Sequence, residues 1–295
     1  MTFRPWRCAV LSGKGGTGKT VITAALVRAL AGRVLAVDAD VDAPNLSLAL
    51  TVTRDVTHPF FGLPGARVRP EACTGCGACV EACRFSALEL RGGKAWGDEG
   101  RCEGCGVCAF VCPEKAIDLV PRSQGIFFQG SCPEGPFWGA QLRPGGENSG
   151  KLVQCLLEHA AQDARDRRIP LVLIDGPPGT SCPAVSTLGG ADAALLVAEP
   201  TPTGEEDLGR MGELCRLFAI PAAVVANRSD LTPRGTAELR RRTEGFGGTF
   251  LGSIPFLPEI PRLIAQRENP LASLGPHIAP LIDFLHSSMA RGEEA

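Results

Sequence analysis

A strand-like run, "CAVLSG" (8–13), leads straight into "GKGGTGKT", and a helix-like segment follows it. Few short stretches constrain a fold as strongly. Glycines at 13, 15, 16 and 18 let successive backbone N–H groups converge on one point, and a helix opening behind them adds its dipole. Such a cradle works only as the turn between a strand and a helix, so a chain built around it is α/β. Further strand candidates at 33–38, 170–176, 193–199, 222–228 and 249–255 are mostly continuous Val/Ile/Leu/Ala runs, as expected where both sheet faces are covered. Helix candidates at about 18–31, 149–167, 182–190, 203–218, 232–244 and 258–268 alternate with them. The alternation predicts right-handed crossovers and a three-layer, mostly parallel sheet.

The loop fits G-x-x-x-x-G-K-[ST], in which Lys19 neutralises β- and γ-phosphates and the Thr20 hydroxyl serves Mg²⁺. Lys14 is a second lysine inside the glycine run. With it, K-G-G-x-G-K-[ST] resembles the deviant loop of the MinD/Mrp/ParA ATPases. The resemblance implies a P-loop NTPase fold, ATP as nucleotide, and nucleotide contacts along Gly13, Lys14, Gly15, Gly16, Thr17, Gly18, Lys19 and Thr20. It also implies a homodimer in which Lys14 reaches the nucleotide of the other subunit. A cation arriving in this way stabilises charge on the phosphates as an arginine finger does.

Two acidic strand ends extend the resemblance. "VDADVDAPNL" (37–46) is similar to the family's first switch region, with Asp38 and Asp42 expected at the attacking water and Mg²⁺ and Asp40 close behind. Alternation in an extended segment would aim all three the same way. "LVLIDGPPGT" (171–180) is similar to the Walker-B strand and second switch, where Asp175 holds Mg²⁺-bound water and Gly179 senses the γ-phosphate. Near the C-terminus, Asn227 is the implied base contact, and Pro255 in "SIPFLPEI" the implied backbone lining of adenine. "NRSD" (227–230) also resembles N-K-x-D of GTPases, which leaves GTP open through Asp230.

Residues 64–120 break the α/β rhythm and repeat internally. Cys73, Cys76, Cys79 and Cys83 recur 29 positions later as Cys102, Cys105, Cys108 and Cys112. Two copies of C-x₂-C-x₂-C-x₃-C form the bacterial ferredoxin pattern for two [4Fe–4S] clusters, in which the fourth ligand comes from the other run. The pattern implies one cluster on Cys73, Cys76, Cys79 and Cys112, and a second on Cys83, Cys102, Cys105 and Cys108. Pro113 follows Cys112 as the pattern requires, whereas Arg84 follows Cys83. Zinc is the rival, although it more often uses separated C-x₂-C pairs. The domain reading is therefore an ATPase domain from 1–63 and 121–295, interrupted by a small α+β ferredoxin-like insertion at 64–120, with "GLPGARVRP" and "VPRSQG" as its linkers.

Bulk properties remove other classes. Net charge is −2, so no global field favours nucleic acid. No apolar run approaches the roughly 18 residues of a membrane span. The helix candidate "HIAPLIDFLHSSMAR" has a polar face poor in Lys and Arg, and reads as docked on the core. Thirteen cysteines without a visible secretory signal predict a cytoplasmic setting with metal and no disulfides. Cys8, Cys155 and Cys215 read as packing residues; Cys132, Cys182 and Lys151 have no clear assignment. The function expected is an ATPase whose homodimer couples ATP binding and hydrolysis to electron transfer through the clusters, toward an unknown redox partner. The alternatives are a carrier that hands an Fe–S cluster or other metallocofactor to an acceptor, and a positioning ATPase with structural clusters. No bridging C-x-x-C lies outside the insertion.

Overall fold

The computed structural model describes residues 3–266 and 268–293. In chain order the elements are β1 (Trp6–Ser12), α1 (Lys19–Ala29), β2 (Val34–Asp38), α2 (Leu46–Ala49), β3 (Thr53–Phe61), β4 (Gly65–Val68), α3 (Ala78–Ala82), β5 (Leu88–Arg91), β6 (Lys94–Gly97), α4 (Val107–Val111) and β7 (Ile117–Val120). They continue with β8 (Ser123–Cys132), β9 (Gly135–Leu142), α5 (Ser149–Asp166), β10 (Leu171–Pro178), α6 (Cys182–Gly189), β11 (Ala193–Ala198), α7 (Pro202–Leu217), β12 (Ala222–Asn227), α8 (Pro233–Gly245), β13 (Thr249–Ile254), α9 (Glu259–Ala265) and α10 (Leu271–Glu293).

The chain divides into two compact units: residues 1–58, 127–141 and 149–295 form one, and 59–126 with 142–148 the other. The larger unit is built on a sheet of strand order β13-β12-β11-β1-β10-β2-β9-β8-β3. The seven strands from β13 to β9 pair in parallel. β1 lies between β10 and β11, so the turn behind it opens at the middle of the sheet. Its residues Cys8 to Leu11 are wholly buried, because helices cover both faces.

One core layer joins α1 and α10 to the sheet through Ile22, Leu26, Ile278, Leu281 and Leu285; the other packs α7 through Leu208, Met211 and Cys215. α10 starts six residues before the predicted segment and carries Pro276 and Pro280 inside it. It is a core-docking helix, as its apolar spacing indicated. No helix among the described residues is long and apolar enough to cross a membrane.

Sequence reading missed β3, β8 and β9. β8 and β9, "SQGIFFQGSC" and "GPFWGAQL", are joined by residues 133–134, and their aromatic, glycine-spaced composition carries no continuous aliphatic run. The expected linkers "GLPGARVRP" and "VPRSQG" contain β4 and the start of β8. Their hydrogen bonds come from strand partners, which local composition does not display. α5 begins at Ser149, directly after Asn148 in a left-handed conformation (φ 66°).

In the smaller unit β4 pairs antiparallel with β7, and β5 with β6. α3 and α4 lie 29 residues apart, each opened by a left-handed glycine, Gly77 (φ 81°) or Gly106 (φ 78°). Leu88, Ala95 and Ile117 pack with Cys79 and Cys108 into a small core of its own.

Leu281 is wholly buried between α10 and the sheet layer. Leu281→Ala should lower the unfolding free energy of the larger unit by about 3 kcal/mol, measurable in urea; a change below about 1 kcal/mol would show that α10 does not anchor that core.

Candidate functional site

A cleft of about 740 Å³ opens at the C-terminal ends of the strands, within the range of ligand sites. Ser12, Gly15 to Val21, Asp40, Pro178 and Arg228 are among its lining residues. The loop holds the required geometry: Gly16 and Gly18 adopt φ 81° and 88°, and α1 begins at Lys19. Gly13 is required for a different reason, since a Cβ there would sit 2.2 Å from Asp207 Cβ.

Asp175 organises the cleft floor. Its carboxylate, 1% exposed, accepts from Lys19 Nζ at 2.8 Å, Thr20 Oγ1 at 2.7 Å and Thr23 Oγ1 at 3.1 Å. Gly179, four residues on, has φ 77° and donates its N–H to Ser12 O at 2.8 Å, tying the end of β10 to the loop. Asn227 donates Nδ2 to Thr17 O at 2.7 Å and lies over Gly18, where a Cβ would clash at 2.4 Å. Its amide thus clamps the loop from β12. Thr17 Oγ1 is buried and has no hydrogen-bond partner among the described residues.

The three carboxylates of 37–46 do not share one aim. Asp38 is buried at the end of β2 and accepts from Leu46 N at 2.9 Å and Asp40 N at 3.3 Å. Asp40 lines the cleft. Asp42 is exposed and lies outside the lining. Period-two alternation ends because the chain turns: Ala43 N donates to both the main-chain and the side-chain oxygen of Asp40. Burial, then the neighbouring Asp175, pushes the Asp38 carboxyl up to about 8. Burial also raises Asp40, against the pull of Lys19.

Lys14 pairs with Glu199, Nζ to Oε2 at 2.8 Å, and Arg228 bonds the other oxygen, Oε1, at 2.6 Å. Glu199 escaped the sequence reading. A signal existed: it ends the apolar run "AALLVA" of β11 as Asp38 and Asp175 end or interrupt theirs. Pro255 follows β13 and does not line the cleft, while Asp230 is exposed and accepts from Phe256 N at 2.6 Å.

In the smaller unit two pockets sort the cysteines. One is lined by Cys73, Cys76, Cys79 and Cys112, the other by Cys83, Cys102, Cys105 and Cys108. Each therefore takes three thiols from one run and the last from the other. Backbone N–H groups already point at sulfur: Ala95 to Cys73 at 3.4 Å, Ala116 to Cys112 at 3.3 Å and Ala87 to Cys83 at 3.4 Å. Gly75 and Gly104, mates in the repeat, are left-handed and pressed against Gly93 O and Pro64 O, where a Cβ would fall within 2.0 and 2.3 Å. Among the described residues no three His, Cys, Asp or Glu side chains converge as they would on a single ion. In a [4Fe–4S] cubane each thiolate binds a different iron, so the sulfurs surround a cage.

The remaining candidates are dispersed. Cys8 and Cys215 are buried, which pushes both thiols up to about 12. Cys155 is only half-buried, unlike the packing residue expected. Cys182 is exposed at the first turn of α6, and Lys151 is exposed on α5. No described cysteine is in a disulfide.

A glycine loop between a central parallel strand and a helix, with a lysine held by a strand-end aspartate, defines a P-loop nucleotide-binding protein. The chain belongs to the CobQ/CobB/MinD/ParA nucleotide-binding domain family, whose model matches residues 8–271. An uncharacterized protein of Methanocaldococcus jannaschii is 32% identical over 271 residues, covering 88% of this chain and 88% of its own. An iron–sulfur cluster carrier protein of Pyrococcus horikoshii is 24% identical, covering 85% of this chain and 74% of its own. Among solved structures, the MinD cell division protein of Aquifex aeolicus shares the fold at TM-score 0.56 and 19% identity, covering 98% of this chain and 97% of its own. The Mg-ADP complex of MinD from Pyrococcus horikoshii does so at TM-score 0.52 and 19% identity, covering 90% and 86%.

The buried Asp38 generates a test. In the native, nucleotide-free chain it keeps its proton up to about pH 8, whereas unfolded it loses it near pH 4. Between those values the native state binds the extra proton, so Asp38 lowers stability as pH rises through the window, and the effect levels off above about 8. Asp38→Asn should therefore gain stability relative to the parent between pH 4 and 8. Urea midpoints at pH 5 and 8.5 measure this; an unchanged difference would remove Asp38 as the source.

Proposed function

We propose that this chain is an ATPase acting as a homodimer, in which nucleotide state governs electron transfer through two [4Fe–4S] clusters held in the 64–120 segment, in the cytoplasm. The observation that carries the reading is the sorting of eight cysteines into two cages, three plus one, within the same chain as a complete phosphate loop. When bound, each cluster would supply a one-electron redox centre. This chain's contribution is eight thiolates, backbone N–H groups aimed at three of the sulfurs, and glycines that let the loops close.

At the nucleotide, Lys19 would leave Asp175 for the phosphates, which offer more negative charge to the same cation. That frees the Asp175 carboxylate and the Thr20 hydroxyl, the groups suited to Mg²⁺ and its water. The unpartnered Thr17 hydroxyl fits a phosphate oxygen, as an orphaned buried donor requires a partner. Asp40 lines the cleft and would face the attacking water. Asp38 would position the attacking water; burial beside Asp175 raises its carboxyl, so only its ionised fraction could accept a proton. Asp42 would need the 40–43 turn to open before serving water or Mg²⁺. Gly179 would sense the γ-phosphate through β10, and Lys14 would act across the dimer. ATP fits better than GTP, because Asp230 already accepts a backbone N–H. Asn227 clamps the loop and would contact the base, and Pro255, next after the Ile254 that pairs with Asn227, would line the adenine through its backbone.

A cluster carrier is the second reading, favoured by the relative named as an iron–sulfur cluster carrier. The two are separated by anaerobic purification, which should yield about eight irons per chain. The protein is then reduced with dithionite and mixed with an oxidised one-electron dye or an apo-ferredoxin, with and without ATP. ATP-dependent reoxidation with iron retained supports electron transfer, while iron moving to the apo-ferredoxin supports a carrier. Clusters that resist reduction sink the redox reading and leave a structural role. Lys14→Ala should lower ATP turnover at least about a hundredfold with nucleotide binding retained; unchanged turnover would refute action across the dimer.

A further inference from the structure

Both lysines of the loop are neutralised by carboxylates from neighbouring strand ends. Asp175 after the apolar run of β10 holds Lys19, and Glu199 just after β11 holds Lys14. Asp175 has a second use at Mg²⁺. Glu199 has none: its two oxygens are divided between Lys14 and Arg228, and its side chain is 7% exposed. Burial of a carboxylate is costly without cations, so the pair is held tightly. Arg228 lines the nucleotide cleft and sits in a left-handed conformation (φ 54°) that an arginine rarely adopts without external support. It directly follows Asn227, the loop clamp.

We propose that Glu199 is a positioning residue that keeps Lys14 folded back on its own subunit until a nucleotide-loaded partner draws it away. The inference rests on the reading that Lys14 serves the partner's nucleotide. The physical basis is a competition for one cation. In the isolated subunit the Lys14 ammonium, one-third exposed, finds a buried carboxylate; in the dimer it finds phosphates. Any free energy stored in the Glu199 contact is subtracted from dimerisation, because a state that binds the cation more tightly shifts the equilibrium toward itself. Glu199 thus sets the threshold at which ATP assembles the dimer, and it also ties Arg228 in the cleft to the position of Lys14.

The test uses the full chain, anaerobically purified, with the non-hydrolysable β,γ-imido analogue of ATP and Mg²⁺. Sedimentation equilibrium measures the dimer dissociation constant for the parent, Glu199→Gln, Lys14→Ala and the double variant. Glu199→Gln should tighten the nucleotide-bound dimer about tenfold, the worth of one charge-assisted contact. The same substitution should have no effect in the Lys14→Ala background, which a general packing role would not predict. Thermal unfolding confirms that each variant is folded. Should Glu199→Gln fail to fold, Glu199→Asp, one methylene shorter and unable to span both cations, should tighten the dimer in the same direction. An unchanged or weakened dimer in the folded variant overturns the proposal, as does an equal effect with and without Lys14. If instead Lys14→Ala alone leaves dimerisation and turnover as in the parent, the trans-acting role of Lys14 fails, and this inference with it.

Discussion

The buried carboxylate of Asp175 is the contact on which the nucleotide cleft depends. It accepts from Lys19, Thr20 and Thr23 together, so one group fixes the loop, the first turn of α1 and the end of β10 against each other. A buried ion pair of this kind costs several kcal/mol to break from one side, because the remaining charge is left without solvent. In the function proposed, phosphates would replace Asp175 at Lys19, and the carboxylate so released would be free for a divalent cation.

The same arrangement, a strand-end carboxylate holding a loop cation, occurs again at Glu199 and Lys14. The parallel sheet is the reason. Strands β2, β10 and β11 all deliver their C-terminal ends to one edge, so acidic residues far apart in sequence meet the same glycine loop. Asp38 shows the price of that convergence. Placed beside Asp175 and buried, it holds its proton well above the usual carboxylate range. In the smaller unit left-handed glycines serve close backbone packing, Gly75 against Gly93 O and Gly104 against Pro64 O.

Much of this is legible in the sequence. The glycine loop, the acidic strand ends and the duplicated cysteine run are local patterns whose residue types have few other uses at those spacings. The α/β order was legible because buried parallel strands are written as unbroken aliphatic runs. β8 and β9 were not, since "GIFFQG" and "GPFWGA" mix aromatics with glycine and follow neither period. The turn at Asp40, which leaves Asp42 exposed and outside the cleft lining, was not legible in the alternating carboxylates. The hydrogen bond from the Asn227 amide to Thr17 O, which clamps the loop, was likewise not legible, because its partners lie on separate elements.

By itself the sequence determined which groups the protein owns: a phosphate loop with two lysines, carboxylates at strand ends, and eight cysteines in two matched runs. Those follow from covalent order, because short spacing suffices to fix a turn or a run of ligands. Only the tertiary structure decided which group answers which. That Lys14 rests on Glu199, that Arg228 shares the same carboxylate, and that Asp40 faces the cleft while Asp42 does not are consequences of strand order and of one turn. Contacts between residues 185 positions apart carry no signature in either neighbourhood, since the packing of the sheet and not the local chain brings them within reach.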